Sequence, residues 1–187
     1  MNVYILTGGN SRRFGKDKST LEINGLTFVD ILHQTLSPEF DSVTIVGKEC
    51  VHPHLPFLKD RYQVQTPLNG ILTALQYSDN DWNFIISVDM PAISQRLVRL
   101  LEENIRGESE AVIPVADGRS YPTCAFYHQN AVEIFDTALQ QEKYKLMSVV
   151  KKLHPVTVNA DLFRKELINV NTPIEYELLK RVMNRNG

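Results

Sequence analysis

Short runs of branched and aromatic residues alternate along this chain with longer segments whose apolar positions recur at helical spacing. The first run, Val3-Tyr4-Ile5-Leu6, opens directly into a glycine-rich stretch, the pattern of a strand that ends in a functional turn. Periodicity then predicts a helix over 27–36, a strand at Val43-Thr44-Ile45-Val46, and a short strand at Phe57-Leu58. The polar stretch 59–66 and a helix over 68–77 follow. Asn83-Phe84-Ile85-Ile86-Ser87-Val88 is apolar almost throughout, as expected of a central parallel strand covered on both faces, and it stops at Asp89-Met90-Pro91. Beyond it the pattern predicts a helix over 95–104 capped by Ser94, strands over 111–115 and 124–127, and helices over 131–140 and 146–153. A last strand over 167–170 leads into a closing helix that begins at Pro173.

This alternation predicts an α/β fold with a mostly parallel central sheet, in which ligands bind beyond the carboxyl ends of the strands. No internal repeat, low-complexity tract or linker divides the chain, so a single domain over 1–187 is expected. At 187 residues and 43% hydrophobic side chains it has the material for one real core.

A formal net charge of −2 excludes the strong positive field that would make nucleic acid or an anionic membrane the default partner, so any bound anion must be held locally. No stretch approaches the roughly 20 apolar residues of a membrane span, and the first residues lack the features of a signal peptide. Cys50 and Cys124 stand far apart and outside any CxxC arrangement, which argues against a disulfide framework and for a cytoplasmic location. Cys50-x-His52-x-His54 has soft and imidazole ligands, but its prolines imply an irregular loop and no fourth ligand is in view, so polar surface residues account for it without a metal.

Candidate chemistry concentrates after the first strand, where Gly8, Gly9 and Gly15 are interleaved with Ser11, Arg12, Arg13, Lys16 and Lys18. Glycines let backbone N–H groups approach phosphate oxygens, and the cations balance charge at a reacting phosphorus and its leaving group. The stretch is not a P-loop: the spacing from Gly9 to Gly15-Lys16 is one residue too long, and Asp17 stands where Ser or Thr is needed. Nor is it G-x-G-x-x-G, because Gly8 and Gly9 are adjacent. Asp89, after the most buried-looking strand, places a carboxylate at the ligand edge, where magnesium takes oxygen ligands; as an isolated Asp-x-Pro it reads equally as a turn or a helix cap.

Leu6-Thr7-Gly8-Gly9-x-Ser11-x-Arg13-Phe14-Gly15-x-Asp17-Lys18 resembles the L-A-G-G-x-S-x-R-M-G-x-D-K signature of molybdenum cofactor guanylyltransferases, with Thr7 for the usual Ala and Phe14 for the usual Met. Asp60 followed by Pro67-Leu68-x-Gly70 resembles that family's aspartate and G-P-L-x-G segment, with Thr66 at the first glycine and Asn69 where a small residue is usual. Ile168-Asn169-Val170-Asn171-Thr172-Pro173 resembles its N-V-N-T-P segment, and Arg119-x-x-Pro122-Thr123 a segment on its acceptor side.

The resemblance implies a Rossmann-like three-layer domain of the nucleotide-diphospho-sugar transferase type. It implies a magnesium-dependent enzyme that moves GMP from GTP to molybdenum-molybdopterin and releases pyrophosphate. Arg13, Lys18 and Asp89 would be catalytic, with Asp89 holding Mg2+. The nucleotide would contact Leu6, Thr7, Gly8, Gly9, Ser11 and Gly15 as well as Arg13 and Lys18, and then Asp60, Pro67, Leu68, Gly70 and Asp89; the acceptor would contact Arg119, Asn169 and Asn171. Within the family the paired glycines lean toward GTP over CTP, and transient contact with other proteins of cofactor biosynthesis is implied. Three alternatives stay open: a molybdopterin cytidylyltransferase, a sugar-phosphate nucleotidyltransferase of the same fold, or a nucleotide-binding protein without turnover.

Overall fold

Alternation within the first strand sets the layers. In β1 (Asn2–Leu6), Val3 and Ile5 enter one hydrophobic cluster and Tyr4 and Leu6 another, and all four are buried. A strand apolar on both faces must lie inside a covered sheet. The computed structural model of the chain describes residues 1–8 and 21–184.

One face of the sheet is covered by α1 (Phe28–Leu36), α3 (Gln95–Glu102) and α6 (Pro173–Met183), which contribute Phe28, Leu32, Leu97, Leu101 and Leu179 to the first cluster. The opposite face is covered by α2 (Pro67–Tyr77), α4 (Val132–Gln140) and α5 (Leu146–Val150), through Leu68, Ile71, Leu75, Phe135, Leu139 and Val149. Helices α1 and α3 start where the sequence provides caps. Thr27 accepts from the Asp30 N–H while Asp30 accepts from the Thr27 N–H, a reciprocal capping box, and Ser94 accepts from the Leu97 N–H.

The sheet contains β1 together with β4 (Ser42–Gly47), β5 (Phe57–Lys59), β6 (Trp82–Ser87), β7 (Ala111–Ala116), β9 (Cys124–His128) and β10 (Val156–Asn159). Their order is β10-β7-β9-β6-β1-β4-β5, and the short β8 (Arg119–Ser120) pairs with β7. The pairs β1/β4, β1/β6, β4/β5 and β7/β10 are parallel, whereas β9 runs against both of its neighbours, so the sheet is mostly parallel but mixed. Two hairpins use Asn-Gly and Asp-Gly turns in the left-handed region: Asn24-Gly25, between β2 (Glu22–Ile23) and β3 (Leu26–Thr27), and Asp117-Gly118, between β7 and β8.

The structure corrects one predicted element. Residues 167–170 are irregular, and the strand found near this end of the chain is instead β10, which pairs in parallel with β7 at the sheet edge. Leu167 and Val170 are buried as a strand's side chains would be, but the Val170 N–H bonds to the Asp89 carbonyl at 2.8 Å rather than to a ladder. Their apolar character reflects burial in the first hydrophobic cluster.

Candidate functional site

The parallel strands β1, β4, β5 and β6 all end at one edge of the sheet, and the candidate residues are distributed along it. β1 runs out through Leu6, Thr7 and Gly8. The Val88 N–H donates to the Leu6 carbonyl at 3.0 Å, which extends the β1–β6 pairing one step and sets Asp89 beside the start of the glycine-rich stretch. On the other side, the Thr7 N–H and hydroxyl both donate to the Val46 carbonyl, at 2.9 and 3.2 Å. The three strand exits are therefore fixed relative to one another by backbone bonds.

Two glycines make this junction fit. A β-carbon at Gly47 would collide with the Thr7 hydroxyl oxygen, and one at Gly70 would come within 3.0 Å of a Leu6 methyl group. Gly70 thus allows the first turn of α2 to lie against the end of β1. Pro67 opens that helix, a position where a missing N–H costs no hydrogen bond, and Leu68 is buried beneath it. Thr66 makes no side-chain cap, so the positive end of the α2 dipole faces this edge without one.

Asp60 is half-buried at the exit of β5, where its N–H donates to the Gly47 carbonyl at 2.8 Å. Its Oδ2 lies 3.6 Å from the place a β-carbon on Gly8 would occupy, so the carboxylate stands over the start of the glycine-rich stretch. Burial raises the Asp60 carboxyl above its ordinary value, and the Lys48 cation pulls it partly back. Asn69, a departure from the resembled motif, is fully buried. Its amide donates to the Tyr62 and Val64 carbonyls at 2.7 and 3.1 Å and accepts from the Tyr62 N–H at 3.1 Å, which clamps the loop after Asp60 onto α2.

Asp89 follows β6 and is also half-buried. The 168–171 segment lies over it: besides the Val170 backbone bond, one end of the Asn169 amide is 3.0 and 2.6 Å from the two carboxylate oxygens and within 3.1 Å of Asn171 Nδ2. The segment is held at its far end by the α6 cap, where Thr172 accepts from the Glu175 N–H at 3.2 Å and Glu175 accepts from the Asn171 N–H at 2.7 Å.

Arg119 lies on β8, which pairs with the end of β7. It is exposed on β8, with its guanidinium over the Tyr121 ring at 5.3 Å. The chain after it returns past β6, where the Thr123 carbonyl accepts from the Ser87 N–H at 2.8 Å.

The fold therefore gathers Leu6, Thr7, Gly8, Asp60, Leu68 and Gly70 on one side and Asp89, Asn169 and Asn171 on the other, joined by the Val88–Leu6 bond. Gly9, Ser11, Arg13, Gly15 and Lys18 lie outside the described residues. Gly47 and the Val170–Asp89 bond escaped sequence reasoning. A glycine ending a strand that leads to a ligand edge is the signal that could have drawn attention to Gly47. His52 Nε2 sits 2.9 Å from Asp30 Oδ1, and among the described residues no three or more His, Cys, Asp or Glu side chains converge as a metal cluster. Among those residues, too, no helix is long and apolar enough to cross a membrane.

A three-layer α/β sheet with a glycine- and cation-rich stretch after its first strand and an aspartate after its central one has the build of a nucleotidyltransferase. The chain belongs to the MobA-like NTP transferase domain family, whose sequence model matches residues 3–156. A Bacillus cereus protein named "Probable molybdenum cofactor guanylyltransferase" is 32% identical over 187 residues, covering 92% of each chain. A Bacillus cytotoxicus protein of the same name is 30% identical and covers 94% of each. The crystal structure titled molybdopterin-guanine dinucleotide biosynthesis protein A, from Archaeoglobus fulgidus, shares the fold with a TM-score of 0.83 at 22% identity, over 99% of this chain and 100% of that one.

Proposed function

We propose that this protein transfers GMP from GTP to molybdenum-molybdopterin, releasing pyrophosphate and forming the molybdopterin guanine dinucleotide. The observation that carries this reading is the placement of Asp89 one hydrogen-bonded step from Leu6, so that a carboxylate meets the start of the phosphate-binding stretch. The names of the full-length relatives support the choice of substrates.

In this reading an oxygen of the acceptor's phosphate attacks the α-phosphorus of GTP, a new P–O–P bridge forms, and the bond to pyrophosphate breaks. The acceptor phosphate is already anionic near neutral pH, its second pKa being about 6, so no general base is required. Leu6, Thr7 and Gly8 line the nucleotide's approach, Asp60 stands on the guanosine side, and Arg13 and Lys18 hold the triphosphate. Arg119 and Asn171 face the acceptor.

The oxygen donors at Asp89 suit magnesium, which takes one or two carboxylates and leaves other positions to phosphates and water. Bound there, Mg2+ would neutralise charge on the reacting phosphate and on the departing pyrophosphate. A single domain over 1–187 working in the cytoplasm, with contacts to other cofactor-biosynthesis proteins, completes the proposal.

The test is pyrophosphate release with Mg2+ and each of GTP, CTP, ATP and UTP, with and without molybdenum-loaded molybdopterin, for the wild type and Asp89→Ala. Release that needs GTP, pterin and Asp89 is expected. Preference for CTP would move the assignment to a cytidylyltransferase. Silence with every nucleotide, from folded protein that binds GTP, would remove the pterin acceptor from the proposal.

A further inference from the structure

Apolar side chains scattered singly over a surface need no explanation, but Leu162 and Leu178 are not scattered. Leu162 is 91% exposed on the short turn Asp161–Phe163 and Leu178 is 47% exposed on α6; with Ile168 and Val182 they line one groove of about 540 Å³. Ile174, 82% exposed, stands one helical turn before Leu178 and carries the apolar strip along α6. Leu162 is also a wall of an adjoining groove of about 640 Å³, whose lining includes Arg96 and Leu100 of α3.

The first groove is rimmed by Arg164, Lys165 and Arg181. Among the described residues none of the three is in an ion pair. Of the two carboxylates in the lining, Glu166 already accepts from the Ser94 N–H at 3.0 Å, and Asp117 belongs to the β7–β8 turn. A chain of formal net charge −2 therefore presents a local cationic rim around an apolar floor.

Such a surface complements a helix that carries apolar anchors on one face and acidic residues around them. A second copy of the chain fits poorly, because a two-fold contact would set the cationic rim against itself. The groove also has a place relative to the site. Ile168 in its lining is followed by Asn169, whose segment lies over Asp89, and Asp117 is followed by Gly118 and Arg119.

We propose that this groove docks an acidic amphipathic helix of a partner protein, with Leu162 and Leu178 receiving its apolar side chains and Arg164, Lys165 and Arg181 pairing with its carboxylates. The partner would then sit beside the acceptor side, and this placement rests on the reading that the acceptor lies near Arg119, Asn169 and Asn171.

The probe is a synthetic helical peptide of about five turns, with leucines at i, i+4 and i+7 spacing and glutamates around them. Controls are the same peptide with lysine for each glutamate, and phosphatidylglycerol vesicles. Fluorescence anisotropy is measured with the full chain as wild type, L162E and R181E; both side chains are exposed, and thermal melts establish folding. The wild type is expected to bind the acidic peptide alone, more weakly as salt screens the charges. Each variant is expected to lose about tenfold or more, as for a residue central to an interface. Folded wild type that ignores the acidic peptide, binds both peptides alike, or keeps its affinity in L162E would overturn the proposal. So would a wild-type dimer in sedimentation that L162E dissociates, which would give the groove to a second copy, or vesicle binding that L162E abolishes, which would give it to a membrane surface. Pyrophosphate release is read separately: its absence from the wild type with GTP and pterin removes the proposed reaction, whereas loss of peptide binding alone removes only the docking surface.

Discussion

The Thr7 hydroxyl fills the space that a β-carbon at position 47 would need, so with threonine at position 7 the two strand exits beside the candidate site fit only with glycine at 47. Gly47→Ala is expected to destabilise the protein by about 1–3 kcal/mol, the usual cost of overpacking a tight junction. Thr7→Ala removes the hydroxyl's bond to the Val46 carbonyl and is expected to cost about 0.5–1.5 kcal/mol. Because Thr7→Ala opens the space Gly47→Ala needs, the double variant should lose less than the sum of the two. Urea denaturation of all four proteins measures the coupling; strict additivity would refute it.

Asn69 predicts a loss of a different kind. Asn69→Ala leaves the Tyr62 N–H and the Tyr62 and Val64 carbonyls without their amide partner, and is expected to cost about 1–3 kcal/mol. Hydrogen exchange should localise the change, with faster exchange at Tyr62 and little effect on β1 or β6.

Asp60 gives a pH dependence. Burial raises its native carboxyl above the unfolded value, so the native state holds the proton more tightly and stability falls as pH rises through the window between the two values. Above that window the charged, half-buried carboxylate is a net cost to folding. Asp60→Asn is therefore expected to melt higher than the wild type at pH 7, with the difference vanishing at acid pH. Nucleotide binding should fall in the same variant, as expected where function keeps a destabilising group in place. Melting curves from pH 3 to 8, with GTP binding at pH 7, check both parts.

Thr172→Ala removes the side-chain cap of α6 and is expected to cost about 1 kcal/mol in urea denaturation. Thr172→Asp should retain most of the stability, because aspartate accepts from the same N–H. Equal losses in the two variants would show that the hydroxyl's cap is not what holds this turn.

Much of the fold was legible because its central strands are apolar on both faces. β1 and β6 could hardly be anything else, and their exits drew attention to Thr7, Gly8 and Asp89. The direction of β9 was not legible, since its buried run reads the same whichever way it pairs. β10 was hidden by His154-Pro155 before it and by the polar Thr157 and Asn159 within it, as suits an edge strand. The false strand at 167–170 shows the converse: Leu167 and Val170 are buried in the first hydrophobic cluster, and a pattern of burial does not say which backbone supplies the hydrogen bonds. Asn69 was visible as a departure from a motif, but its purpose lay in a loop whose path no periodicity describes.

The bond between Val170 and Asp89 also bears on how the protein comes into being. During synthesis the aspartate emerges from the ribosome long before the segment that lies over it. A nascent chain can pair β1 with β4 and β6 before residues 168–171 are made, so the Asp89 carbonyl gains its Val170 partner only on strands that already pair without it.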